Sequence, residues 1–282
     1  MPSSADHART EPAQADKPAK PAHAGVLANA AQGDVDIAAV AALFADRTRT
    51  RVLMALSDGR SLPATTLAAE AGVSAQAASA QLSRLLEAGL LEAERSGRNR
   101  YYKLTTGRVA MVMEALAQLA PPQPVSSLRQ ATRAHAVRQA RTCYDHLAGR
   151  LGVQITQALI STGALTATDA ITDNRRRRGD NLSAQLPNHP YILGPEAAQV
   201  FGRLGIAECE LAERTSRRPL LRFCMDWSEQ RHHLAGRLGA LVCTACLEAG
   251  WIARAPLPRA IQVTDQGRHE LKARLGVSFA EL

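Results

Sequence analysis

Two short segments carry the residue types from which a chemical site is built. Cysteine stands two residues before aspartate in Cys143-Tyr-Asp145 and again in Cys224-Met-Asp226. His146 adjoins the first segment, and His232-His233 follows the second. Thiolate with imidazole suits zinc or another soft or borderline cation. Two thiols alone make a redox switch, and the same side chains could line a small-molecule pocket. The plainer alternative makes each Cys a small buried hydrophobe, each Asp a helix cap and each His a surface residue. The candidate sensor residues are therefore Cys143, Asp145, His146, Cys224, Asp226 and His233, with the metal and any cofactor left open. A further pair, Cys243-Thr-Ala-Cys246, falls inside an apolar helical stripe and reads as core.

An internal duplication would bring the two segments together. His-Leu-Ala-Gly-Arg-Leu-Gly occurs at 146–152 and at 233–239, an offset of 87, and Ala158 and Gly163 match Ala245 and Gly250 at the same offset. The Cys-x-Asp segments match at an offset of 81, with six residues inserted in the second copy. Such self-similarity marks a repeated structural unit. In each copy a helix (Leu147, Leu151, Ile155, Ala158, Leu159; then Leu234, Leu238, Leu241, Val242, Ala245) runs into a glycine. A short apolar pair, a strand with a turn and a closing helix follow. Pseudo-twofold packing of the copies would converge the cysteines and histidines.

The same grammar appears, in fuller form, at 42–105. Leu67 to Ala71 reads as a short helix closed by Gly72, and Ser74 is a good cap for the next helix, Ala75 to Ala88. Ala78, Leu82, Leu85 and Leu86 recur at i, i+4, i+7 and i+8, one face of a helix. The opposite face carries Gln76, Ser79 and Gln81, whose amides and hydroxyl are suited to base edges. Gly89 ends that helix. Two strands, 90–95 and 100–104, follow around a Gly-containing turn, with Arg95, Arg98 and Arg100 at the tip. This is the order of a winged helix-turn-helix, which sets one helix in the DNA major groove.

Residues 37–119 resemble the ArsR-type winged-helix repressors. The matching segments are Phe44-Ala-Asp46-Arg47-Thr-Arg-Thr-Arg51-Val-Leu, Gly72-Val-Ser74, Leu85-Leu-Glu-Ala-Gly89-Leu-Leu, and Gly97-Arg98 followed by Tyr101-Tyr102-Lys-Leu104. The resemblance implies a homodimer that holds a double-stranded operator and releases it on sensing a metal, an oxidant or another effector. It places DNA contacts at Ser74, Gln76, Ser79, Gln81, Arg84, Arg95, Arg98 and Arg100. It also implies a dimer helix near 108–119. The metal sites familiar in that family are missing: helix 63–71 has no cysteine, and helix 108–119 has no His, Asp or Cys.

Bulk properties agree with an anionic partner. The 282 residues carry a net charge of +8, distributed as −1 over 1–34, +2 over 35–120 and +7 over 121–282. Arg175 to Arg178 form a basic run where the first copy's wing is expected; it reads as a solvated loop or as an extra phosphate contact. Five cysteines, an odd and sparse count, favour a reducing cytoplasm over a disulfide scaffold. No apolar run approaches membrane-span length, no secretory signal is apparent, and no catalytic motif stands out, so an enzyme is not expected. The expected organisation is a disordered tail (1–33), a winged helix-turn-helix (34–120), a Pro-rich linker (121–128) and a duplicated sensor or assembly domain (129–282). The expected fold is mainly α with small β wings, the C-terminal domain comprising two degenerate winged-helix-like repeats. The expected function is a sequence-specific transcriptional regulator. The alternative is a winged-helix ligand-binding or protein-interaction module without specific DNA binding.

Overall fold

Asp46 separates the first two helices, α1 (Ile37–Ala45) and α2 (Arg47–Leu56), because its carboxylate accepts the Arg49 N–H at 2.9 Å and so caps the second. The computed structural model describes residues 34–121, 124–125, 127–180, 186, 190–212 and 218–279. The expected tail and parts of the expected linker therefore lie outside the described residues. β1 (Leu62–Pro63), α3 (Ala64–Ala71) and α4 (Ala75–Glu87) follow. Gly72 closes α3 at φ 70°, a left-handed conformation that glycine adopts without a Cβ penalty, and Ser74 Oγ accepts the Ala77 N–H at 3.2 Å. These two residues make the tight turn of the helix-turn-helix.

β2 (Leu91–Ser96) and β3 (Asn99–Leu104) form the wing. Their register runs from Leu91↔Leu104 to Ser96↔Asn99, which leaves only Gly97 and Arg98 in the turn. The strands thus reach one residue closer to the tip than the sequence suggested. β1 pairs with β3 as a third strand, too short and too Pro-marked to leave a periodic signal. α5 (Gly107–Leu119) completes the module. Val52, Leu53, Leu56, Leu67, Leu82, Leu85 and Met113 are among its buried core residues.

α6 (Leu128–Gln139), which the sequence reading left unassigned, leads into the duplicated domain. The first copy runs β4 (Arg141–Cys143), β5 (His146–Ala148), α7 (Gly149–Ser161), β6 (Leu165–Ala167), β7 (Tyr191–Leu193) and α8 (Ala197–Arg203), followed by a short α9 (Glu208–Ala212). The second runs β8 (Arg222–Met225), β9 (His232–Ala235), α10 (Gly236–Glu248), β10 (Ile252–Arg254), β11 (Ile261–Val263) and α11 (Asp265–Leu275). Each copy keeps the long helix, the two-stranded wing and the closing helix of a winged helix. A β-hairpin stands where the first helix of a helix-turn-helix would be.

The copies interlock. α7 packs on β9 and α10 packs on β5, so each long helix covers the other copy's hairpin, and β5 meets β9. Leu151, Ile155 and Leu159 of one helix and Leu238, Val242 and Cys246 of the other share a single buried core with Tyr191, Phe201 and Phe223. Gly149 and Gly236 turn the two hairpins into their helices. Both have φ near +70° (72° and 73°), and an added Cβ would come within 2.7 Å of the Arg138 carbonyl or 2.8 Å of the Leu220 carbonyl. Glycine is required at both by conformation and by space.

Candidate DNA interface and a buried Cys/His cluster

α4 shows two faces. Ala78, Leu82 and Leu85 are buried against the module's core, while Ser74, Gln76, Ser79 and Arg84 are exposed. Gln81 is different. Its Oε1 accepts a hydrogen bond from Arg49 Nη1 at 2.8 Å, and Arg49 is itself anchored to the carbonyls of Ala42 and Leu43. Gln81 therefore ties α4 to α2 and to the end of α1, and Arg49 joins this face although sequence reasoning did not single it out. On the wing, Arg95, Arg98 and Arg100 are exposed, and Arg95 pairs directly opposite Arg100. Like charges placed opposite one another repel in an isolated hairpin.

The Cys-x-Asp segments converge. Cys143 is the cross-strand partner of His146 in one hairpin, and Cys224 that of His233 in the other. The two hairpins meet so that ligand atoms of all four residues lie within 4.8 Å of one another. All four residues are at least 95 % buried, and the His146 and His233 rings stack at 5.2 Å between centroids. The alternative that placed the histidines on the surface is thereby removed. Nε2 of His146 and both ring nitrogens of His233 have no hydrogen-bond partner.

Each imidazole has a carboxylate behind it, and that carboxylate is the Asp of its own Cys-x-Asp. Asp145 Oδ1 lies 3.3 Å from His146 Nδ1, and Asp226 Oδ2 lies 3.6 Å from His233 Nδ1. Asp145 is gripped by both Arg218 Nη atoms. Burial raises its pKa, but the Arg218 and His146 hydrogen bonds outweigh that and hold it at about 2. Asp226 is deeper. It takes Arg141 Nη2 at 2.9 Å, the Gly149 N–H at 2.7 Å and the Ser228 and Glu229 N–H groups. Burial opposes its ionisation, yet Arg141 and these donors keep its carboxyl well below the usual range. The Cys143 thiol is pushed well up, first by the Cys224 sulfur beside it and then by burial. A cavity of about 350 Å³ opens onto Cys143, His146 and Cys224 between the hairpins and α5, with Tyr144, Arg108 and Arg218 on its walls.

His232 belongs to the scaffold. Its Nδ1 meets the Tyr191 hydroxyl at 2.8 Å and its Nε2 meets Asp180 at 2.7 Å. Cys243 and Cys246 are buried in the α10 core as expected, their thiols pushed up by burial to about 11 and about 12. Within the arginine run, Arg177 is tied to Asp169 at 2.7 Å and to Asp173 at 3.4 Å, while Arg175, Arg176 and Arg178 are exposed.

The duplicated domain grips the winged helix through a buried ionic network. Glu114 of α5 pairs with Arg259 and lies 3.7 Å from Arg141. Arg141 spans from Glu114 to Asp226, and so from α5 to the carboxylate behind His233. Sequence reasoning that began at Cys143 stopped two residues short of it. The signal was present: Arg141 and Arg222 match at the same offset of 81.

Comparison with known proteins agrees with this geometry. The MarR family model matches residues 46–100, the helix-turn-helix and the start of the wing. The uncharacterized HTH-type transcriptional regulator YdfF of Bacillus subtilis (strain 168) is 38% identical over 244 residues, which span 86% of this chain and 99% of that protein. Among solved structures, the cadmium metal-sensor CMTR of Mycobacterium tuberculosis is 33% identical over 33% of this chain and all of its own, with a TM-score of 0.25. The homodimeric winged helix-turn-helix domain of Mb0332 from Mycobacterium bovis is 29% identical over 31% of this chain and 87% of its own, with a TM-score of 0.22. Among the described residues no helix is long and apolar enough to cross a membrane. The YdfF match takes in both the winged helix and the duplicated domain, and on it the chain belongs to the HTH-type transcriptional regulators.

Proposed function

We propose that the protein is a homodimeric, sequence-specific repressor of the ArsR type, whose C-terminal domain controls its hold on an operator. The observation that carries this reading is the exposed face of α4. Gln76 and Ser79 stand free of the fold, Arg84 closes the row, and the arginine-tipped wing stands beside it. Gln suits adenine and Ser suits either base type. The opposed Arg95 and Arg100 are relieved when a phosphate sits between or beside them.

Dimerisation has its own support. α1 has no buried residue, and Ile37, Val40, Val112, Leu116 and Leu119 are exposed on α1 and α5. A groove of about 460 Å³ lies between these helices, lined by Phe44, Met54, Met113 and Leu116. Apolar surface of this kind marks an interaction face. A second copy would bury it and present two α4 helices to half-sites about 34–36 Å apart, one turn of the duplex.

The test is a titration of the full chain against its own promoter DNA and against scrambled DNA at several salt concentrations. Specific binding steeply weakened by salt supports the reading. Gln76→Ala should then change sequence preference, since a good bidentate base contact discriminates by about 1–3 kcal/mol. Weak, salt-insensitive binding to both DNAs would favour the interaction-module alternative.

A further inference from the structure

We infer that Cys143, His146, Cys224 and His233 form a tetrahedral Cys2His2 site for one zinc(II)-class cation, built across the two copies of the duplicated domain. Each copy supplies one thiol and one imidazole from equivalent cross-strand positions of its hairpin. The four donors already share a space 4.8 Å wide. Zn–S bonds of about 2.3 Å and Zn–N bonds of about 2.0–2.1 Å give tetrahedral edges of roughly 3.3–3.8 Å, so the donors need to close by no more than about 1 Å.

Three further features point to a cation. The first is the row of buried ring nitrogens without partners, at His146 Nε2 and at both nitrogens of His233. Burying a polar nitrogen without a partner is costly, and a metal at the centre of the four donors removes that cost. The second is the carboxylate behind each imidazole. Asp145 and Asp226 stand at Nδ1 and leave Nε2 to face the sulfurs, the arrangement that fixes the tautomer and orientation of a metal-bound histidine. The third is the route in. The 350 Å³ cavity reaches Cys143, His146 and Cys224 from the side of α5. Binding exchanges two thiol protons for the cation, leaving two thiolates, two neutral imidazoles and Zn2+ with no net charge among them. S2N2 donors in tetrahedral array select zinc over the oxygen-seeking cations. Helix 63–71 and helix 108–119 supply none of these four ligands, so the site is separate from the DNA-binding module.

The experiment uses the full chain, purified under reducing conditions, stripped with a chelator and titrated with Co2+ alone. The expected result is one equivalent of cobalt per chain, with the visible bands of tetrahedral Co2+ and thiolate charge transfer, both abolished when zinc displaces it. Cys143→Ser with Cys224→Ser should lose the charge-transfer band. Asp145→Asn, which leaves all four ligands in place, should keep the spectrum and bind about 10–100-fold more weakly. If the double cysteine variant does not fold, the wild-type spectrum and the Asp145→Asn shift decide. Absence of stoichiometric cobalt binding, a spectrum without thiolate bands, or a Cys143–Cys224 disulfide in freshly reduced protein would overturn the assignment. None of these readouts depends on DNA, so their failure is distinguishable from failure of the repressor reading.

Discussion

The Tyr144 N–H donates to the Ser57 carbonyl across 2.8 Å, which fastens the turn of the β4–β5 hairpin to the end of α2. Tyr144 stands between Cys143 and Asp145, at φ 61°. Its ring lies against the first residue of α5, where a Cβ on Gly107 would approach within 3.0 Å. The residue that joins two cluster side chains thus touches two helices of the winged helix. A movement of the hairpin of a few tenths of an ångström is transmitted to α2 and α5, because close-packed contacts do not absorb it.

Tyr144→Gly is the change that tests this connection. Glycine accepts the positive φ, so the hairpin backbone is kept while the ring contact with Gly107 is lost. We expect cobalt binding to be preserved and the effect of zinc on operator affinity to shrink toward none. Paired titrations of wild type and variant, with and without zinc, measure it. An undiminished zinc effect would remove Tyr144 from the path.

The wing arginines should act through charge alone. Arg98 and Arg100 are exposed and near the turn, so replacing both with Ala leaves the core untouched. Binding should weaken alike on every DNA sequence, and the slope of log affinity against log salt should flatten by about one to two units. An unchanged slope would show that the wing does not meet the duplex.

Leu116 and Leu119 are 40 % and 72 % exposed on the α5 face of the apolar groove. Glu at both positions puts two like charges on a surface that a second copy would bury. Analytical ultracentrifugation should report a monomer, and operator affinity should fall by more than tenfold because only one half-site contact remains. A persistent dimer would move the interface elsewhere.

Much of this architecture could be read from residue patterns. The Gly72–Ser74 turn, the α4 periodicity and the repeated heptapeptide each reflect a local rule or a literal copy, and both survive in one dimension. The convergence of Cys143 with Cys224 was foreseeable because duplication implies symmetry. The carboxylate behind each imidazole was not, since the second histidine could have been His232 or His233. Strand alternation decides it. Leu234 enters the core, His233 faces the cluster, and His232 turns to Tyr191 and Asp180. Arg49, Glu114 and Arg259 were missed for another reason. Their partners are 32 or more residues away, and a buried charge looks the same in a sequence as a solvated one.

Glu114 offers the sharpest stability prediction. It is 2 % exposed and faces Arg259, itself 3 % exposed, whose pKa burial lowers to about 10. Replacing Glu114 with Gln keeps the shape and removes the charge, leaving the Arg259 guanidinium buried without its carboxylate. Breaking a buried pair in this way costs about 3–5 kcal/mol. Arg141 retains Asp226 at 2.9 Å, so the loss should fall on the junction between α5 and the duplicated domain rather than on the Cys/His cluster. Urea unfolding should show a lower midpoint for Glu114→Gln. The double variant Glu114→Gln, Arg259→Met should recover part of the loss, because it removes the stranded charge along with its partner. Unaltered stability in the single variant would mean that water reaches the pair and that the two domains are held by apolar contact alone.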